Sequence, residues 1–208
     1  MDNSSSIQDI LDQFFLRLEN LTPISESDLP NIDLYMDQVT TFMDEHLQHC
    51  KRYPDDKILT KTMINNYAKN HLLPPPVKKK YSKDHMLLLI FIYYFKNILS
   101  INDIQKILEP MTSKYFQNKD GMDMSWLYSH IQSQEPLQAQ RIENDIRNFA
   151  KESNQFFPDV PEEDREYLQL ISLITLLSCD VYLKKQLIEK LIDSFTFQPK
   201  ETSSKNKK

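Results

Sequence analysis

The chain has 208 residues, 40% of them apolar, and is acidic overall, with 30 Asp and Glu against 25 Lys and Arg for a net charge of −5. That is enough apolar material for one large domain or two small ones, and the single glycine, Gly121, excludes the glycine-dependent phosphate cradles and the nucleophile elbow. Two distant cysteines, Cys50 and Cys179, and a start, MDNSSSIQDI, without the basic and apolar regions of a signal peptide set the expectation of a reducing cytoplasm.

Apolar residues recur three and four apart almost throughout, with no sustained alternation, so the expected fold is all-α. A first helix starts at the Ser4 to Ser6 cap and gathers Ile7, Ile10, Leu11, Phe14, Phe15, Leu18 and Leu21 on one side, stopping before Pro23. Asp33 is the expected cap of a second helix that turns Leu34, Met36, Val39, Phe42, Met43 and Leu47 inward. After the polar loop CKRYPDDK, a third helix starts at the cap Thr60, buries Met63, Ile64, Tyr67 and Ala68, and ends before Pro74. Pro74 to Pro76 then form a stiff extended lead into VKKKY, a stretch able to pair as a short strand.

Ser82 caps the next helix, MLLLIFIYYFKNIL, whose nearly all-round apolarity marks it as the central element of the core. Ser100 and Asp103 form a capping box for a helix carrying Ile101, Ile104, Ile107 and Leu108, which Pro110 is expected to close. A loop at NKDGMD, residues 118 to 123, separates a short helix from another over about 123 to 134; a longer one opens at Pro136 and runs to Phe157. EEDRE suits a helix N-terminus.

The apolar stretch from Tyr167 to Leu183 is interrupted by Gln169, Ser172, Thr175 and Asp180 and falls short of the ~20 residues of a bilayer span. It is expected to be a buried helix ending near Cys179, not a membrane segment. A last helix, Asp180 to Phe195, turns Val181, Leu183, Leu187, Ile188, Leu191, Ile192 and Phe195 inward and offers a heptad-like seam for a homodimer. The polar tail at 198–208 is expected to be disordered.

Charge is distributed unevenly. Residues 1–50 carry ten acidic groups and one basic group, Arg17, whereas residues 51–85 carry nine basic groups against three acidic, an electropositive island in an acidic chain. If the third helix packs through Met63, Ile64, Tyr67 and Ala68, its other face presents Lys61, Thr62, Asn65, Asn66 and Lys69. Asn pairs bidentately with adenine in the major groove, while Thr and Lys reach phosphates. With the cap Thr60 and a stiff arm holding Lys78, Lys79, Lys80 and Tyr81 to flanking phosphates, these residues make a candidate surface for double-stranded DNA. The blander readings are a solvated loop, a basic patch that docks a protein, or a patch that docks within the chain against the acidic first 50 residues.

LTKTMINNYAKNHLLPPPVKKKYSKDHMLLLIFI resembles the DNA-binding head of the mercury-resistance regulator (MerR) family, in which a helix-turn-helix is followed by a basic wing. Together with IDLYMDQVTTFMDEHL and LSINDIQKIL it resembles, over roughly residues 30 to 110, a bacterial family known as domain of unknown function 1836. The first resemblance implies a winged helix-turn-helix at 31–110 with helix 60–71 reading DNA and a short β-wing at about 76–81. Tyr67 then matches the tyrosine closing the recognition helix, Leu72 to Pro75 the turn, and Lys79 and Tyr81 the wing. Asn65 stands where those regulators usually have arginine, and His71 where a helix-ending glycine is usual. Residues 1–30 are then an N-terminal helix and 111–197 a helical partner or dimerisation domain, in a transcriptional regulator or, alternatively, a non-catalytic adaptor.

Other constellations carry less. Glu45, His46, His49 and Cys50 have metal-like spacing on one helix, yet fit a helix end whose dipole histidines complement. His85, His130, Cys179 and the scattered serines form no nucleophile, base and orienting group, and His85 is expected at the surface of a first turn, so neither catalysis nor a cofactor is expected. Trp126, Tyr128, Tyr115 and Phe116 are expected in a core or around a pocket.

Overall fold

The computed structural model describes residues 6–19, 23–119, 121–133 and 135–194. Ser4, Ser5 and Leu21 of the expected first helix, Asp120 of the loop, Phe195 of the expected seam and the tail lie outside the described residues. The fold is helical, with eight α-helices and a two-stranded sheet among those residues. It divides into two compact units, one of residues 1–28 and 128–186, the other of residues 29–127 and 187–208.

In the first unit, α1 (Ile7–Glu19) begins in a reciprocal cap: Ser6 Oγ accepts from the Asp9 amide at 3.2 Å, and the Asp9 carboxylate accepts from the Ser6 amide at 3.1 Å. It packs on α7 (Glu135–Ser153), where Phe15 is buried beneath the Arg147 guanidinium at 4.1 Å from the ring centroid. Ile10 and Phe14 are exposed, so only part of the expected apolar face is used. The Ile24 carbonyl accepts from the Tyr128 hydroxyl at 2.5 Å and from Gln132 Nε2 at 2.9 Å.

The second unit is built on α4 (Lys83–Phe95), in which every residue from His85 to Tyr93 is buried. At about 1.5–3 kcal/mol for each large apolar side chain removed from water, this helix is the main apolar anchor of the unit. Around it stand α2 (Met36–Leu47), α3 (Lys61–Lys69) and α5 (Ile101–Tyr115). They contribute Val39, Phe42, Met43 and Leu47 from α2, Ile64 and Tyr67 from α3, and Ile104 and Leu108 from α5. The sheet is a single antiparallel pair, β1 (Leu34–Tyr35) with β2 (Lys80–Tyr81), in the register Leu34 to Tyr81 and Tyr35 to Lys80.

Several expectations need correction. Asp33 does not cap α2, because Leu34 and Tyr35 are drawn into the ladder; the Tyr35 amide, at the helix start, is taken by Gln38 Oε1 at 2.9 Å. Pro110 does not close α5 but lies inside it. The bond lost is the one to the Lys106 carbonyl, on an exposed turn where water can take it. α6 (Met124–Gln132) and α7 fall near their expected places, α7 ending before Phe157.

The two expected C-terminal helices are one, α8 (Glu162–Ser194), of 33 residues. No Pro or Gly interrupts it, and Asp180, expected as a new start, instead pairs with Lys184 one turn on at 2.7 Å. It is not the buried helix expected: only Ser172 and Leu173 are buried, and Val181, Leu183, Leu187 and Leu191 face solvent rather than inward. By length and composition alone it is long and apolar enough to cross a membrane.

His85 is likewise not at the surface; it is 1% exposed, at the third position of α4. Its Nδ1 accepts from the Ser82 amide at 3.0 Å and lies 2.8 Å from Ser82 Oγ, closing a reciprocal cap in which histidine replaces the usual glutamate. Nδ1 therefore carries no proton and Nε2 does. Nε2 is buried without a hydrogen-bond partner; the Pro75 and Pro74 carbonyls favour a charge there without bond alignment. Burial outweighs them and Asp33, and holds the imidazole below its ordinary value of 6.5. The unfolded chain thus binds more protons than the folded one as pH falls below 6.5. Stability should be level above that pH and decline below it through the folded-state titration. Urea unfolding midpoints across pH 5 to 8 should show this decline in the wild type and a smaller one in His85→Gln, whose amide oxygen can still take the Ser82 amide.

Candidate nucleic-acid interface

The surface begins with α3. Thr60 Oγ1 accepts from the Met63 amide at 3.1 Å, the expected cap. At the other end Asn70 closes the helix and His71 takes a left-handed conformation, φ 58°. The Leu72 amide then reaches the Tyr67 carbonyl at 2.9 Å and the His71 amide the Ala68 carbonyl at 3.2 Å, a Schellman closure. Leu72 and Leu73 are buried. They pin the chain to the core just before the three prolines, which fixes where the following arm leaves the helix.

That arm ends in a two-residue hairpin. The Lys80 amide donates to the Val77 carbonyl at 2.9 Å, and the corner residues Lys78 and Lys79 have φ 51° and 64°. Two positive φ values at the corners are the backbone of a type I′ turn, which ordinarily selects Asn-Gly. A left-handed L-residue without that side chain costs roughly 1–2 kcal/mol, so this turn places two lysines at its tip against the local preference.

β2 leaves the turn with Lys80 on one face and Tyr81 on the other. Tyr81 packs into the core, its ring edge-on to His85 at 5.5 Å, and burial raises its hydroxyl above the ordinary value. It therefore leaves the set of expected phosphate contacts: the alternation that turns Lys80 outward turns Tyr81 in. Its place on the outer face belongs to Tyr35, which is exposed, with the Lys80 ammonium 5.2 Å from its ring centroid. The sequence signal for Tyr35 was faint: a two-residue alternation, Leu-Tyr, read as the start of a helix.

The remaining expected residues are found as follows. Thr62, Asn65, Asn66 and Lys69 are exposed, and the Asn65 and Asn66 side-chain amides make no hydrogen bond among the described residues. Lys69, Lys78 and Lys79 are exposed and make no ion pair among the described residues. Lys61 is exposed but pairs with Asp37 of α2, a solvent-exposed contact worth little. Thr60 is half-buried, its hydroxyl oxygen engaged in the cap while its hydrogen remains to donate.

The long connection before α3 is tied down as well. Asp56 Oδ2 accepts from the Arg52 and Tyr53 amides at 3.1 and 3.0 Å, Ile58 and Leu59 are buried, and Lys96 Nζ donates to the Ile58 carbonyl at 2.9 Å. Burial holds the Lys96 ammonium below its ordinary value, consistent with a structural rather than a ligand-facing lysine. His46 stacks on Phe42 at 3.9 Å and its Nδ1 meets the Phe42 carbonyl at 2.9 Å, the helix-end arrangement expected of it. Tyr115 and Trp126 stack at 6.4 Å, and neither lines the cavity of about 390 Å³ in the first unit.

A family model described as "Domain of unknown function (DUF1836)" matches residues 24–131, about half of the chain. No curated protein and no solved structure matches it.

If the lysine turn is held at a conformational cost, relieving it should show in stability. Lys78→Asn with Lys79→Gly supplies the preferred turn residues and should raise the urea unfolding free energy by about 1–2 kcal/mol, with the far-ultraviolet circular dichroism unchanged. An unchanged or lowered stability would mean that the corner is not strained.

Proposed function

The chain belongs to the DUF1836 family, and on that premise we propose that its second unit is a winged helix-turn-helix that binds double-stranded DNA sequence-specifically, as a cytoplasmic transcriptional regulator. α2 and α3 form the helix pair, the Lys78–Lys79 hairpin the wing. The observation that carries the reading is the polar face of α3, Asn65, Asn66 and Lys69, together with a hairpin that holds Lys78 and Lys79 at a costly tip, none of these side chains having a partner among the described residues. Strain of that kind is retained chiefly where function requires it.

Within this reading the residues divide by chemistry. Asn65 and Asn66 are the base readers, because a carboxamide offers the donor and acceptor pair that matches adenine N7 and N6. Lys69, Lys78 and Lys79 neutralise phosphates and set register without reading sequence. Lys61 joins them by exchanging the Asp37 carboxylate for a phosphate. Tyr35 replaces Tyr81 as the aromatic of the wing, its hydroxyl a donor to a phosphate beside Lys80.

A second reading, a non-catalytic adaptor that docks a protein on the same surface, is favoured by the exposed Ile32, Tyr35 and Val77 near the wing, since apolar side chains of this size are not what a phosphate backbone selects. Salt separates the two. Anisotropy titrations of a labelled duplex pool should give a log–log slope near −0.9 for each phosphate neutralised, and Lys78→Ala should make the slope shallower by about 0.9. Asn65→Ala should weaken binding to a selected duplex by about 1–3 kcal/mol and leave binding to random duplex almost unchanged. No duplex binding at low salt would reject the DNA reading in favour of the adaptor.

A further inference from the structure

We propose that α8 is a self-association helix, along which two copies of this chain pair antiparallel. Tyr167, Ile171, Ile174 and Val181 are all more than 40% exposed, and with Ser178 they follow each other at intervals of four, three, four and three. That spacing draws one straight seam, apolar at four of its five positions, along about 21 Å of a helix of 33 residues. A continuous strip of this kind is more than a monomer ordinarily leaves in water.

The charge layout selects the occupant. The first two turns carry Glu162, Glu163, Asp164 and Glu166 against Arg165, a net −3, whereas the end beyond the seam carries Lys184, Lys185 and Lys190 against Glu189 and Asp193, a net +1. Ile174 is equidistant from Tyr167 and Val181, the two ends of the seam. About that midpoint an antiparallel copy brings Asp164 level with Lys184 and Glu163 level with Lys185, at both ends of the pair. A parallel copy sets acid against acid and lysine against lysine, which opposes association. A bilayer is a poorer occupant, because Asp180 lies within the span of the seam and Lys184 three residues past its end, so a span of ~20 residues would draw both charges toward the hydrocarbon. An isologous pair of this kind is also the commonest form of soluble oligomer. The inference is independent of DNA binding, since it concerns no residue of the proposed interface.

The test uses the full chain. Sedimentation velocity at micromolar concentration should give twice the 24.7 kDa of one chain, and Ile174→Glu, a change at an exposed site, should give one chain's mass with helical content retained. Orientation is read by cross-linking in a Cys179→Ala background: Ile174→Cys lies on the two-fold axis and should form an intermolecular disulfide under mild oxidant, whereas Tyr167→Cys should not. Lys184→Glu should weaken the dimer, and adding Asp164→Lys should restore it. A wild-type chain that sediments as a monomer, co-flotation with neutral phosphatidylcholine vesicles, or efficient cross-linking of Tyr167→Cys would each overturn the proposal.

Discussion

The Tyr81 ring lies edge-on to His85, and His85 in turn lies edge-on to Phe116 at 4.9 Å, so the root of the lysine hairpin is set into the same aromatic stack that joins the start of α4 to the end of α5. The surface depends on this contact. With Leu34 and Tyr81 buried as a cross-strand pair, the two-residue sheet cannot slip by one position without turning Tyr81 and Leu34 to solvent and Lys80 to the core. A hairpin too short to be stable alone is thereby held in one register by the core beneath it. The adjoining Asp84 carboxylate, which accepts from the Gln117 amide at 2.6 Å, secures the same junction from the other side.

A chain with one glycine must place its left-handed residues elsewhere. Four described residues other than glycine have positive φ, namely His71, Lys78, Lys79 and Gln117. His71 and Gln117 each follow the close of a helix, where the reversal is repaid by hydrogen bonds to Schellman carbonyls or to Asp84. Lys78 and Lys79 have only the single turn bond from Lys80 to Val77. The strain at the tip is therefore the least compensated in the second unit, and it coincides with the densest positive charge. A more favourable turn sequence would have removed both charges.

The sequence made the central features readable where one force dominated. The all-round apolarity of α4, the Thr60 and Ser100 caps and the inward face of α2 follow from burial and capping alone. The outward Asn65, Asn66 and Lys69 follow from the inward Ile64 and Tyr67. Legibility failed where two local rules competed. Pro110 argues for a stop, but one lost bond on an exposed turn does not end a helix that runs on to Tyr115 and closes at Phe116, against His85. Tyr81 reads as outward as the aromatic of a basic wing, yet the strand period decides its face, and that period is invisible in a pair of residues. His85 reads as a surface residue because it stands in the first turn behind the cap Ser82; only the packing of Tyr81 and Phe116 against its ring shows that this turn is buried. The exposed seam of α8 was misassigned because an apolar stripe in a sequence does not say whether its cover comes from the same chain or another.

Charge arrangement links the two proposals. Under the DNA proposal, the net charge of −5 opposes approach to a duplex while the island at residues 51–85 favours it, so orientation would be selected before any base is read. Antiparallel pairing along α8 matches acidic and basic ends against one another, which removes that local asymmetry from solution and leaves the island of each copy as the dominant positive feature. Two islands related by a two-fold axis impose a matching symmetry on what they bind.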